Sequence, residues 1–537
     1  MAHLPPAGAL PASSRDRHHP LFTLQDGFAI IRSMSENEFG LKRSLGLGSL
    51  LAVEVGLIIG AGIFVLVGVA MQETGPALPL AFLIAFVPIM LVMLSLAMLG
   101  SAIPCAGGTY RYSSRLVSPG WAFLGVWGYL IGMVFGAFPL YALRAAQYFW
   151  SAFPGLAPES WNWFMAIHRA AMHLLPQLSA HEFFIQISAA LLLTAIYLPN
   201  YRGVSLAGMV QALMVVVLLA ALLYFVAAGM GHVRPEYFSP LLAPQKGVTG
   251  LLVGSAILTL ALLGANGVIE LGAEIKNPGK NIPLSIAISV PLVTVLYVLV
   301  GVIAAGVAPW QTVAGKLLEH QAALVLGTRG MKLFLIGGAF LAITTSINGL
   351  FMCCTKSMLV VSSDRLLPPW FYAVHPRFNT PHRFLTTVWL IGLASIFCRV
   401  PAGTFESFAS IGGLIIFIPL MLAVIRMKKI LPEKYAAAPF KLKGIWLYIC
   451  PGMGMLLSFS AILMLFFAEL KNNFWRGFFL GLLLLGGTIY LAQKRRTRST
   501  HGDLVAQNIA TDLKNWRGSE LHRAHSPETE PDAGCVQ

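Results

Sequence analysis

The chain is poor in charge. Of its 537 residues, 37 are Lys or Arg and 22 are Asp or Glu, 11% in all, against roughly 25% in soluble domains. The charge that exists sits at the ends: residues 1 to 45 hold 9 charged side chains and residues 494 to 537 hold 13. An ordinary soluble globule is therefore excluded. The six cysteines (Cys105, Cys353, Cys354, Cys398, Cys450, Cys535) form no CxxC pair and no secretory spacing, which removes a disulfide framework and a cysteine metal site from consideration. No HExxH or GxSxG pattern occurs, so the common zinc-hydrolase and serine-nucleophile arrangements are missing and no enzyme is expected. No apolar core of about 7 to 15 residues precedes Leu45, so no cleavable signal peptide is expected and the first apolar helix would act as the insertion signal.

What is abundant is apolar sequence. Hydrophobic residues make up 57% of the chain, in runs such as 203 to 230 and 284 to 306 that exceed the about 20 residues needed to cross a bilayer. Apolar stretches separated by charged or Pro/Gly-rich breaks give an all-α polytopic membrane protein of about twelve transmembrane helices. They are centred near residues 60, 88, 133, 190, 217, 262, 296, 345, 391, 416, 457 and 482. With that count the side carrying both termini holds 26 Lys and Arg and the other side 9, so the termini are expected in the cytoplasm and the protein in the plasma (inner) membrane. The net charge of +15 then records orientation, and no nucleic-acid partner is implied. Residues 1–44 and 494–537 read as cytoplasmic tails, the second as unstructured, around a transport domain of residues 45–493. His168, His173 and His181 are spaced 5 and 8 apart, which does not put them on one helical face. No metal site and no cofactor is expected.

Two spans carry glycine at their midpoints: Gly60-Ala61-Gly62 in the first and Gly264-Ala265-Asn266-Gly267 in the sixth. Interrupted helices at matching positions of two repeats expose backbone groups near the bilayer midplane, where irregular backbone survives only if it lines a cavity. At the first break, around Ile59 to Ile63, the N–H groups near Gly62, Ile63 and Phe64 would start a new half-helix without intrahelical partners and suit a carboxylate. At the sixth, carbonyls near Leu263 and Gly264 suit an ammonium group. The two ends together describe an α-amino acid.

Four stretches carry a family resemblance: VGLIIGAGIF over 55–64, PCAGGTY over 104–110 with Tyr112, EIKNPGKNIP over 274–283, and Ser346-Ile-Asn348 through Ser363-Asp364-Arg365-Leu-Leu-Pro368 to His375-Pro376. In this order and spacing the chain resembles the amino acid-polyamine-organocation superfamily of secondary transporters. The resemblance implies the LeuT-type 5+5 inverted-repeat fold plus two C-terminal helices, alternating access, and amino acid or amine substrates moved by symport or antiport. It also implies a closing contact around Glu274 and Lys276. Departures are informative: the family's aromatic gate and following acid read Ala265 and Asn266, and the lysine that replaces sodium in some proton-coupled members has no counterpart in the uncharged fifth helix. A polyamine carrier or a non-transporting amino acid sensor are the alternatives.

An ionised side chain at the centre of a membrane helix costs about 2.5 to 3.5 kcal/mol on insertion scales. Glu54, about 9 Å before Gly60 along a helix, and Glu270, expected on the first turn of the second half-helix, are therefore the proton-carrier candidates; Glu270 reads equally as an acid that complements the positive end of that half-helix dipole or as a contact for the substrate ammonium group. Thr345 and Ser346 lie at the level of a sodium site in related folds, although hydroxyls there commonly satisfy a neighbouring carbonyl. Arg144, late in the third helix, reads as an interfacial anchor.

Overall fold

The computed structural model describes Leu41 and residues 43–156, 160–171, 179–372, 374–398, 400–470, 472–501 and 503–518. The chain divides after residue 42, and the described helices lie in the second unit. These are α1 (Leu47–Ile58), α2 (Ala61–Thr74), α3 (Leu78–Ala102), α4 (Gly108–Leu116), α5 (Pro119–Ser151), α6 (Asn162–Ala171), α7 (Ala180–Arg202), α8 (Val204–Met230), α9 (Gly247–Ala261), α10 (Pro278–Gly306), α11 (Leu318–Val325), α12 (Thr328–Ser363), α13 (His382–Ile396), α14 (Ala402–Ile430), α15 (Trp446–Phe467), α16 (Asn473–His501) and α17 (Leu504–Gly518). Among the described residues there is no strand, only two isolated bridges.

Among the described residues, ten helical elements are long and apolar enough to cross a membrane. The twelve expected passes are recovered once three facts are counted: the first span is split into α1 and α2, Gly75–Ala77 turns the continuous run Ala61–Ala102 into α2 and α3, and α13 is a short apolar helix. Local sequence explains the boundaries. Gly75 supplies the left-handed backbone (φ +61°) before Pro76, Pro119 opens α5 at a position where no N–H is needed, and Ser179 with Glu182 forms a capping box on α7. Large apolar side chains on α8 (Met209, Leu213, Val216) and α16 (Leu484, Leu491) are exposed, as lipid-facing helices require.

Packing sorts the spans into two groups. One contains α1, α2, α3, α9 and α10, with α10 lying along α3 and α9 along α2; the other contains α5, α7, α12, α13 and α14. Helix α8 touches both through α1 and α12, and α4 rests on α5, α12 and α14.

Two expectations need correction. The sixth span does not continue as a second half-helix after its glycines: Ala265–Glu270 is a 3₁₀ segment, and the backbone beyond it pairs elsewhere. Gly107 N–H donates to the Glu270 carbonyl, Ser44 and Leu45 N–H donate to that of Glu274, and Lys276 N–H returns to Leu45. These long-range bonds satisfy groups that a helix would have paired locally. The second correction concerns the C-terminal tail, expected to be unstructured beyond Arg498: residues 504–518 form α17, while 519–537 lie outside the described residues.

Candidate functional site

At the first break α1 ends on Ile58, and Ile59 and Gly60 donate back to Val55 and Ile58. Gly60 is extended and no side chain caps α2, so the first N–H groups of α2 are left to other acceptors. At the sixth, α9 ends at Ala261, two residues before the expected end, and Gly264 adopts φ +144°. The two breaks meet directly. A Cβ on Gly264 would lie 2.5 Å from the Leu57 carbonyl oxygen, an approach only glycine permits, and one on Gly62 would lie 3.1 Å from Ala261, a tight fit. Ala61, Gly62, Leu263, Gly264 and Asn266 are half-buried, whereas Ile59, Gly60, Ile63, Ala265 and Gly267 beside them are buried. The predicted binding residues are thus brought together as one unit. The position expected to hold an aromatic gate is the buried Ala265, and Leu263 instead packs against the cluster containing Ile131 of α5 and Phe408, Ile411 and Leu414 of α14.

Thr345 and Ser346 lie beside the first break, and both hydroxyls reach the Gly56 carbonyl at 3.1 Å and that of Ala342 at 2.8 and 3.1 Å. A buried amide chain backs them. Asn200 donates to Asn348 (2.6 Å), and Asn348 donates to Gln211 (2.7 Å), whose Nε2 faces the Ala52 carbonyl at 3.4 Å. Sequence reading missed these residues. The available signal was three amides, Asn200, Gln211 and Asn348, within predicted apolar spans.

Glu54 is fully buried, with Ser285 Oγ at 2.8 Å from Oε1 and Ser289 Oγ at 2.6 Å from Oε2. Both serines are on α10, so Glu54 ties α1 to α10 inside one helix group. Glu270 is different. It ends the 3₁₀ segment, and its carboxylate sits on the N-terminus of α4, accepting the Thr109 N–H (3.2 Å) and the Thr109 hydroxyl, with the Ser357 hydroxyl of α12 at 2.7 Å. The favourable helix dipole therefore belongs to α4, not to the half-helix the sequence suggested. Four residues on, Glu274 pairs with Lys356 of α12 at 2.9 Å, both side chains nearly inaccessible at 3% and 4%. Lys276, expected beside Glu274 in a closing contact, is exposed, and the cation that Glu274 meets is Lys356, a charge inside an apolar span. Arg144 is half-buried and donates to Gln147.

A second ionic cluster lies on the same face. Arg115 of α4 binds Asp364 after α12 through two bonds of 2.6 and 2.9 Å, and Asp364 also accepts the Tyr110 hydroxyl at 2.8 Å. Of the three histidines, His168 packs on Phe183 and His181 is exposed; His173 lies outside the described residues.

The chain matches the family model described as amino acid permease over residues 45–488. It is 29% identical to a branched-chain amino acid permease of Bacillus subtilis (strain 168) over 470 residues, 86% of this chain and 95% of the relative. It is 30% identical to a methylthioribose transporter of the same organism over 424 residues (78% and 87%). A vacuolar cationic amino acid transporter of Arabidopsis thaliana matches at 26% over 404 residues (73% and 64%). The chain, an all-α multi-pass membrane transporter with interrupted first and sixth spans, belongs to the amino acid permease family of the amino acid-polyamine-organocation superfamily.

Proposed function

We propose that this transporter is a proton-coupled carrier of neutral, apolar α-amino acids, working by alternating access with α4, α17 and the start of α1 on the cytoplasmic side of the plasma (inner) membrane. The observation that carries the substrate class is the state of the buried acids. Glu54, Glu270, Glu274 and Asp364 each already hold hydroxyl or cationic partners, so none of them stands unpaired to receive a cationic side chain. The substrate carboxylate would take the first N–H groups of α2, its ammonium group the carbonyl end of α9, and its side chain the apolar wall around Leu263. The relative named a branched-chain permease agrees with this reading.

Glu270 is the coupling residue in this reading, because it bridges the two helix groups while Glu54 does not. As a carboxylate it accepts charge-assisted hydrogen bonds from Thr109 and Ser357, about twice as strong as neutral ones, and these hold the cytoplasmic side closed. A proton arriving with the substrate from outside removes the charge and weakens the closure; the cytoplasmic side opens and both leave. The hydroxyls of Thr345 and Ser346, engaged with Gly56, have no part in coupling here.

The test is uptake into proteoliposomes. Labelled leucine should accumulate under an inward proton gradient without sodium, with isoleucine and valine competing and lysine and putrescine not. Glu270→Gln should retain leucine exchange and lose gradient-driven accumulation. Competition by lysine or putrescine, or accumulation that follows sodium, would overturn the assignment.

A further inference from the structure

Helix α17 is not required by the substrate site, yet it is built into the molecule by specific contacts. Asp512 accepts Arg111 Nε at 3.1 Å and Nη2 at 2.6 Å, together with Arg115 Nε at 2.8 Å. Asn508 donates to Asp364 at 3.1 Å, Trp516 lies under the Arg111 guanidinium at 5.8 Å, and Arg517 donates to the Ile430 carbonyl at the end of α14 at 3.1 Å. One helix thus fastens α4 to the ends of α12 and α14. The side chains of Asp512 and Arg111 are 13% and 11% exposed, and that of Arg115 only 2%.

The element so held is the one that closes the site. Arg111 and Arg115 follow Thr109 by two and six residues on α4, whose first turn receives the Glu270 carboxylate and whose Gly107 N–H takes the Glu270 carbonyl. We propose that α17 is a clasp and Asp512 its positioning residue: docked, it fixes the N-terminus of α4 against Glu270 and keeps the cytoplasmic side closed; released, it lets α4 shift and the cytoplasmic side opens more often.

This inference rests on the reading of Glu270 as the residue that holds the cytoplasmic side closed, and it takes the adjacent Glu274–Lys356 pair as part of the same closure, the cytoplasmic gate. The structure offers a native reporter for both. Cys353 of α12 is buried, its sulfur 3.0 Å from where a Cβ on Gly267 would lie, between the two helix groups. In a form retaining Cys353 as its only cysteine, maleimide labelling of solubilised protein should rise roughly 2- to 30-fold in Asp512→Asn and after deletion of residues 503–537. Asp512→Glu should restore slow labelling, which loss of a merely structural contact would not predict. Lys356→Met, which acts on the gate itself, should also raise it. If Lys356→Met raises labelling and neither tail variant does, the gate stands and the clasp is overturned. If no variant raises it, the gate reading fails and the clasp with it.

Discussion

Two of the contacts between the helix groups are chemically opposite. On the far side from α4, the contact is aromatic: Phe64 of α2 meets Tyr148 of α5 and Phe334 of α12 at ring separations of 6.0 and 5.6 Å, and Phe225 of α8 lies 5.0 Å behind Phe334. On the near side it is ionic and hydrogen-bonded, through Glu270, Thr109, Ser357, Glu274 and Lys356. An aromatic pair contributes about 0.5–1.5 kcal/mol beyond its buried area and responds little to pH. A buried ion pair contributes little net stability, because water restores what desolvation took, but removing one partner is expensive. On the proposed role of Glu270, the near contact is therefore easily opened as a pair, highly sensitive to sequence, and able to sense a proton. The far contact is none of these.

Breaking the ion pair gives the largest expected effect. Lys356→Met leaves Glu274 buried without its cation and should cost about 3–5 kcal/mol, seen as a fall in thermal stability and loss of transport. Adding Glu274→Leu should return most of the stability while transport stays lost, since an apolar pair gains nothing from hydration on opening. Full recovery of transport in the double variant would show that the charge is dispensable. Phe64→Leu probes the other side: the expected cost is about 1 kcal/mol, with no change in Cys353 labelling, and faster labelling would mean that the two contacts are not separable.

The smallest effect concerns pH at the clasp. Burial pushes the Asp512 carboxyl up, but Arg111 and Arg115 outweigh it and hold it below its usual 3.8. A carboxyl lowered on docking gives stability that is complete above the undocked value and is lost only as pH falls through the docked one. Docking of α17 should therefore be constant between about pH 8 and about pH 5. On the proposed coupling role of Glu270, pH-dependent opening over that range should survive deletion of 503–537, measured by the distance between spin labels on the two helix groups.

The sequence carried the spans and the break positions well, because apolar length and midpoint glycine are local signals: Gly60, Gly62, Gly264 and Gly267 are where the backbone departs from helix or closes on a neighbour. It carried the partners of the acids poorly. Glu270 meets Thr109 across 161 residues, Lys356 meets Glu274 across 82, and Arg111 meets Asp512 across 401. Helical periodicity holds no information about such pairs, so Glu270 is placed on the wrong helix terminus and Lys356 is not linked to Glu274. The tail misleads for a related reason: Asp512 and Arg517 look like solvated charge until α4 and α14 are placed beside them.

The most direct measurement of the central claim is a pulsed electron-resonance distance between labels at Lys280→Cys, at the start of α10, and Arg377→Cys, in the loop after α12, both exposed and on opposite helix groups. On going from about pH 8 to about pH 5 the account predicts a shift of the wild-type protein towards the longer distance, and the longer distance at both pH values in Glu270→Gln. Identical distance distributions in the two proteins at every pH would contradict it.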